Sequence, residues 1–193
     1  MTPASTPPVP LPVVTERLVL RLFTPDDLDD VHAYQGLDEV ARYLLRPPLT
    51  REQCAKSLAG SASGTAWAAD GDDLVLAVCR ADGPDAPGVI GEVVLKLASA
   101  RERQAEIGWI FNPAYGGRGY ASEAAHALAA LAFDALNVHR LFARLDAANT
   151  GSVRVCERLG MRQEARLVEN HFGADGGWGD ECVYAILARD WKG

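Results

Sequence analysis

Residues Asn112-Pro113-Ala114-Tyr115-Gly116-Gly117-Arg118-Gly119-Tyr120-Ala121 concentrate three glycines and one guanidinium where an apolar run gives way to a helical pattern. Glycines at such a junction let the backbone turn tightly and aim several N–H groups at one place. The helix that follows adds its positive end, so the segment suits an anion such as a pyrophosphate and implies a phosphate-bearing cofactor. The dinucleotide fingerprint needs G-x-G-x-x-G inside a strand–helix–strand unit near the domain start, and both spacing and position differ here. The Lys-Ser/Thr ending of a nucleoside-triphosphate loop is also missing. Taken alone, the cluster reads equally as a flexible loop. Cys54, Cys79, Cys156 and Cys182 stand far apart, without a C-x-x-C pair or a His at ligand spacing, so reduced thiols are expected and no metal site.

The elements that must position this junction are legible on either side of it. A strand is expected over 17–22. Thr24, Pro25 and the acidic residues that follow then open a helix to about 36, and a second helix starts at Thr50. The aliphatic runs 74–80 and 89–97, joined by the turn-rich stretch 81–88, predict a hairpin, and 104–111 a third strand stopped by Pro113. Ala124, Leu128, Leu131, Ala132 and Ala135 recur at helical spacing over 121–136. A strand over 139–146, a helix over 150–159 ended by Gly160, and strands over 162–167 and 182–187 complete the order. Residues 1–14 carry no charge and five prolines, a composition that favours an extended tail, leaving 15–193 as one domain.

Four blocks in order, Ala105-Glu106-Ile107-Gly108-Trp109-Ile110-Phe111, Gly117-Arg118-Gly119-Tyr120-Ala121-Ser122-Glu123-Ala124, Asn149-Thr150-Gly151-Ser152 and Glu157-Arg158-Leu159-Gly160-Met161, resemble the GNAT superfamily of acetyl-CoA-dependent N-acetyltransferases. Within it they look most like the branch that acetylates the N-terminal amines of ribosomal proteins. The resemblance implies an α/β (α+β) fold, in which a mixed, mainly antiparallel sheet of about six to seven strands with splayed central strands is flanked by helices. It implies acetyl-CoA as cosubstrate, a protein N-terminus or a small cationic amine as acceptor, and a homodimer by likeness to the family.

Carried onto this chain, the family pattern makes Trp109, Ile110 and Phe111 a bulged stretch whose free amides meet the acetyl carbonyl and the pantetheine arm. Gly117, Arg118, Gly119, Tyr120 and Ala121 would cradle the pyrophosphate. Ser122 would cap the helix or touch a phosphate, and Asn149 would bind the pantetheine. The Gln or Arg that usually opens this loop falls on Gly116, which shifts the load to backbone amides and Arg118. An ammonium with a pKa near 10 must lose its proton before attack. Glu106 is the first candidate base and His171, in Val168-Glu169-Asn170-His171, the second. The family's leaving-group Tyr falls on Cys156, so Ser152, three residues after Asn149, is the expected donor to the thiolate, and direct transfer is favoured over an acyl-cysteine. The stretch from Gly173 to Asp180 resembles a loop bordering the acceptor site. The substitutions at Gly116 and Cys156 also motivate a reading of a different class, an idle acyl-CoA-binding or interaction module.

Composition limits the partners. The chain of 193 residues is 48% hydrophobic and 23% charged, with a formal charge of -7, which fits a folded domain and disfavours nucleic acid. The acidity suits a cationic acceptor. No apolar run approaches the roughly 18 residues of a membrane span and no leader pattern opens the chain, so a cytoplasmic protein without membrane contact is expected.

Overall fold

A computed structural model describes residues 9–61, 66–81, 88–173 and 176–193. The strands are β1 (Val13–Val14), β2 (Leu18–Arg21), β3 (Asp73–Arg80), β4 (Val89–Ser99), β5 (Gln104–Phe111), β6 (Arg140–Asp146), β7 (Arg162–Phe172) and β8 (Trp178–Leu187). Helices α1 (Leu28–Gln35), α2 (Asp38–Ala41), α3 (Arg51–Ser61), α4 (Tyr120–Ala130) and α5 (Thr150–Arg158) connect them. The strands make one eight-stranded sheet ordered β1-β2-β3-β4-β5-β6-β8-β7.

Side chains of successive strand residues point to opposite faces, so the sheet carries two cores. Leu18, Leu20, Leu76, Val93, Leu95, Ala105, Ile107 and Leu141 pack with Ala125, Leu128 and Ala129 of α4 and with Val155 and Cys156 of α5. On the opposite face Ala77 and Val89 pack with Val31 and Tyr34 of α1 and with Cys54 and Leu58 of α3. The result is the mixed α/β architecture expected from the sequence, mostly antiparallel and flanked by helices.

Several elements depart from expectation. Val13 and Val14, placed in the tail, pair with Leu20 and Val19 and form an eighth strand, while Val9 and Leu11 pack against the main core. Residues 1–8 of the expected tail, 82–87 of the hairpin connection, and 174 and 175 of the loop before β8 lie outside the described residues. α4 continues as a wider π-turn over Leu131–Ala135, closed by Leu136 N donating to Leu131 O at 3.1 Å. β7 runs five residues past its expected end at 167, to Phe172, and a register shift between Leu167 and His171 accommodates Glu169 at φ 51°.

The parallel pair at the centre of the sheet positions the site. β5 and β6 pair only at Gln104–Arg140, Ala105–Leu141 and Glu106–Phe142. β5 then continues alone on that side to Phe111 and β6 to Asp146. A wedge opens between them, with Glu106 at its apex.

Candidate active site

Where β5 leaves β6, its edge amides lose their ladder partners. The Asn112 amide donates to Ile90 O at 2.9 Å, and the β4–β5 register is regular from Gly91–Phe111 to Leu97–Ala105. Alternation along that antiparallel ladder turns the Ile110 amide toward β4 and those of Trp109 and Phe111 toward the wedge. The expected bulge at 109–111 is therefore absent. Splaying of the strands does its work, and Ile110 contributes its side chain, which packs with the α1–α3 core, rather than its amide.

The glycine segment is built as a turn. Asn112 Oδ1 accepts from the Ala114 amide at 3.0 Å, Pro113–Tyr115 forms a single 3-10 turn, and Gly117 and Gly119 adopt φ 74° and 81°, values that side chains rarely tolerate. The first helical bond of α4 runs from the Glu123 amide to Gly119 O at 3.0 Å. The amides of Tyr120, Ala121 and Ser122 therefore lack intrahelical acceptors and face outward at the positive helix end. Arg17 holds the loop from behind. It donates to Arg118 O at 3.0 Å, pairs with Glu123 at 2.5 Å and lies over the Tyr120 ring.

Trp109, Ile110, Phe111, Gly117, Arg118, Gly119, Tyr120, Ala121, Ser122, Asn149 and Ser152 all line one groove of about 710 Å³, closed on its far side by Val40, Tyr43 and Leu44. Two basic residues that the motif comparison missed line it too, Arg154 and Arg158. Their i, i+4 spacing on α5 was the available signal. Ser122 does not cap α4: its Oγ accepts from Arg158 Nη1 at 3.0 Å. Asn149 caps α5, with Oδ1 accepting from the Ser152 amide at 3.1 Å, which leaves the Ser152 hydroxyl for Trp109 Nε1, a donor at 3.1 Å. Free amides, an open cradle at Gly117 and three guanidiniums fit a ligand bearing a pyrophosphate and further phosphate.

The two candidate bases part company. Glu106 alternates with buried Ala105 and Ile107, so its side chain stands on the face opposite α4, beside Gly108, where a Cβ would meet nothing within 4 Å. Glu106 does not line the 710 Å³ groove. His171 lies on β7, past the expected strand end at 167, and lines an adjoining groove of about 510 Å³ with Asp146, Asp180, Arg166 and Trp178. Tyr43 lines both grooves. The His171 side chain is 9% exposed, with Nε2 3.4 Å from Asp146 Oδ2 and Nδ1 without a partner among the described residues. Cys156 is fully buried, and burial pushes its thiol up to about 12, so it is no nucleophile at neutral pH. All four cysteines are free thiols. A larger concavity, about 1010 Å³ between residues 10–17 and the outer side of α4, contains none of the expected site residues.

A splayed parallel strand pair, an amide-rich turn and a helix facing it bring free amides and three guanidiniums to one groove. Residues 17–162 match the acetyltransferase (GNAT) domain, and the chain belongs to that family and is an N-acetyltransferase. It is 33% identical over 180 residues to the uncharacterized N-acetyltransferase YnaD of Bacillus subtilis, covering 93% of this chain and 99% of that one. The crystal structure of a GNAT-family acetyltransferase from Bacillus anthracis superposes with a TM-score of 0.80 at 30% identity, over 93% of this chain and 99% of the other. Spermidine N-acetyltransferase of Vibrio cholerae, solved with CoA and spermine, shares the fold with a TM-score of 0.77 at 22% identity, over 91% and 98% of the two chains.

Proposed function

We propose that the protein transfers an acetyl group from acetyl-CoA to a primary amine by direct attack in a ternary complex. The observation that carries this reading is the wedge, which exposes the Trp109 and Phe111 amides to the same groove that holds the glycine turn and Ser152. The turn amides with Arg118, Arg154 and Arg158 hold the phosphates, and Asn149 and the β5 edge hold the pantetheine arm. The acetyl carbonyl accepts from the edge amides, which are preorganised for the oxyanion. Glu106, on the sheet face opposite α4, draws the ammonium proton through a water in the open space over Gly108. The Ser152 hydroxyl donates to the departing sulfur.

The acceptor is a cationic amine, either a peptide N-terminus, as in the ribosomal-protein branch, or a small amine. It enters through the adjoining groove past Asp146 and His171. Incubation with acetyl-CoA, a panel of N-terminal peptides and polyamines, and detection of free CoA thiol tests this. Turnover that Glu106→Gln or Ser152→Ala lowers by about a hundredfold with acetyl-CoA affinity kept is the expected result. Tight CoA binding without turnover on any acceptor favours the idle module.

A further inference from the structure

The hydroxyl assigned to the leaving group must point at sulfur and not elsewhere, and a serine in the first turn of a helix has competing uses. Its oxygen commonly caps a first-turn amide, and its proton commonly bonds back to a carbonyl of the preceding turn. Capping is already performed by Asn149, whose Oδ1 takes the Ser152 amide at 3.1 Å. The Ser152 oxygen instead accepts from Trp109 Nε1 at 3.1 Å. An indole N–H is a donor only, so the hydroxyl proton cannot point back along that bond. It must leave the oxygen in another direction, and among the described residues nothing accepts it. Both side chains line the groove, and the Trp109 ring packs against the main core, which holds its orientation.

We propose that the Trp109 indole is a positioning residue that aims the Ser152 hydroxyl at the thioester sulfur; this rests on the role of Ser152 given above. One residue thus serves both ends of the acyl group: its backbone amide faces the oxyanion and its indole orients the donor to the leaving atom. When the tetrahedral adduct collapses, the C–S bond breaks and its electron pair stays on sulfur. Ser152 shares its proton with that thiolate in a hydrogen bond. Two protons leave the nitrogen: the one drawn off before attack passes to solvent, and the one shed by the nitrogen of the adduct reaches sulfur by way of water, which leaves Ser152 unchanged. Accepting from Trp109 also polarises the hydroxyl and makes it a stronger donor.

The test compares CoA with desulfo-CoA, which lacks the sulfur, by calorimetric titration at pH 9.5, where a substantial share of the CoA thiol is ionised; it needs no acceptor. The wild type is expected to bind CoA at least about tenfold more tightly than desulfo-CoA, as a hydrogen bond to a charged group requires. Ser152→Ala abolishes that ratio, and Trp109→Phe, which keeps an aromatic ring and removes the donor, reduces it at least about threefold while desulfo-CoA affinity stays within about twofold. The double variant shows no loss beyond Ser152→Ala alone. Loss of the ratio in Ser152→Ala with full retention in Trp109→Phe overturns this proposal alone. Retention in Ser152→Ala overturns the role of Ser152 and the proposal with it. A Trp109→Phe variant that loses affinity for both ligands equally shows a merely structural tryptophan and also overturns it.

Discussion

Ser122 on the first turn of α4 and Arg158 on the last turn of α5 meet across the mouth of the groove, Arg158 Nη1 donating to Ser122 Oγ at 3.0 Å. The serine thereby sets a guanidinium beside the free amides of the glycine turn, where the proposed function puts the phosphates. Arg158→Ala should weaken CoA binding about tenfold, and Ser122→Ala should weaken it less and in the same direction. Calorimetric titration in low and high salt checks both, since the Arg158 contribution is screened.

Thr15 and Arg17 converge on Glu123, with Thr15 Oγ1 2.6 Å from Oε1 and the Arg17 amide 3.0 Å from it. Burial raises the Glu123 carboxyl, but the hydrogen bonds from Thr15 and Arg17 outweigh it and hold its pKa below the usual 4.5. A carboxylate lowered by folding stabilises the native state fully above its unfolded pKa, and the contribution fades as pH falls through the folded value. Glu123→Gln should cost about 1 kcal/mol at pH 7, and the difference from wild type should shrink below about pH 4. Urea melts at the two pH values measure it.

Glu92 runs the opposite way. The Tyr34 hydroxyl, with no exposed surface, donates to Glu92 Oε2 at 2.7 Å. Burial raises the Glu92 carboxyl above its usual range and outweighs the hydrogen bonds and the Arg46 charge that favour the anion. A carboxyl raised by folding loses stability as pH rises from its unfolded pKa toward its folded one. Glu92→Gln keeps the acceptor for Tyr34 without the charge, so it should raise the melting temperature at pH 8, with a gain that shrinks toward pH 4. Calorimetric scans across that range show the sign.

A Cβ on Gly179 would fall 2.3 Å from His171 Nε2, and the His171 ring is nine-tenths buried against Asp146. Gly179→Ala should therefore cost about 1–3 kcal/mol through overpacking. Adding His171→Ala should restore part of it, a coupling that melts of the single and double variants would reveal.

Cys156, protonated at neutral pH, should be dispensable for transfer. Cys156→Ala should retain at least about half of kcat while losing about 1 kcal/mol of stability. Initial-velocity lines against acetyl-CoA and acceptor should intersect rather than run parallel, as a ternary complex requires.

Local chemistry was legible in the sequence because glycine, proline and period-two or helical alternation act within a few residues. The turn at Gly117 and Gly119, the strand over 104–111 and the helix after Tyr120 all stand where their spacing placed them. The groove-lining set from Trp109 to Ser152 was legible as a motif, and splayed central strands came with the family resemblance, but which amides the splay frees was not legible. Free amides at Trp109 and Phe111 come from β5 and β6 parting after Glu106 and Phe142, a long-range pairing that no stretch of sequence encodes. The same holds for Ser122, whose sequence position suits a cap or a phosphate contact and whose hydroxyl meets Arg158 from another helix, and for Ser152, whose hydroxyl meets an indole 43 residues away in the chain. His171 falls within β7, beyond the strand expected over 162–167, because the shift in register around Glu169 is set by pairing with β8. Residue type and spacing determined which groups the chain carries. The splay of one parallel strand pair decided which of them face the same space.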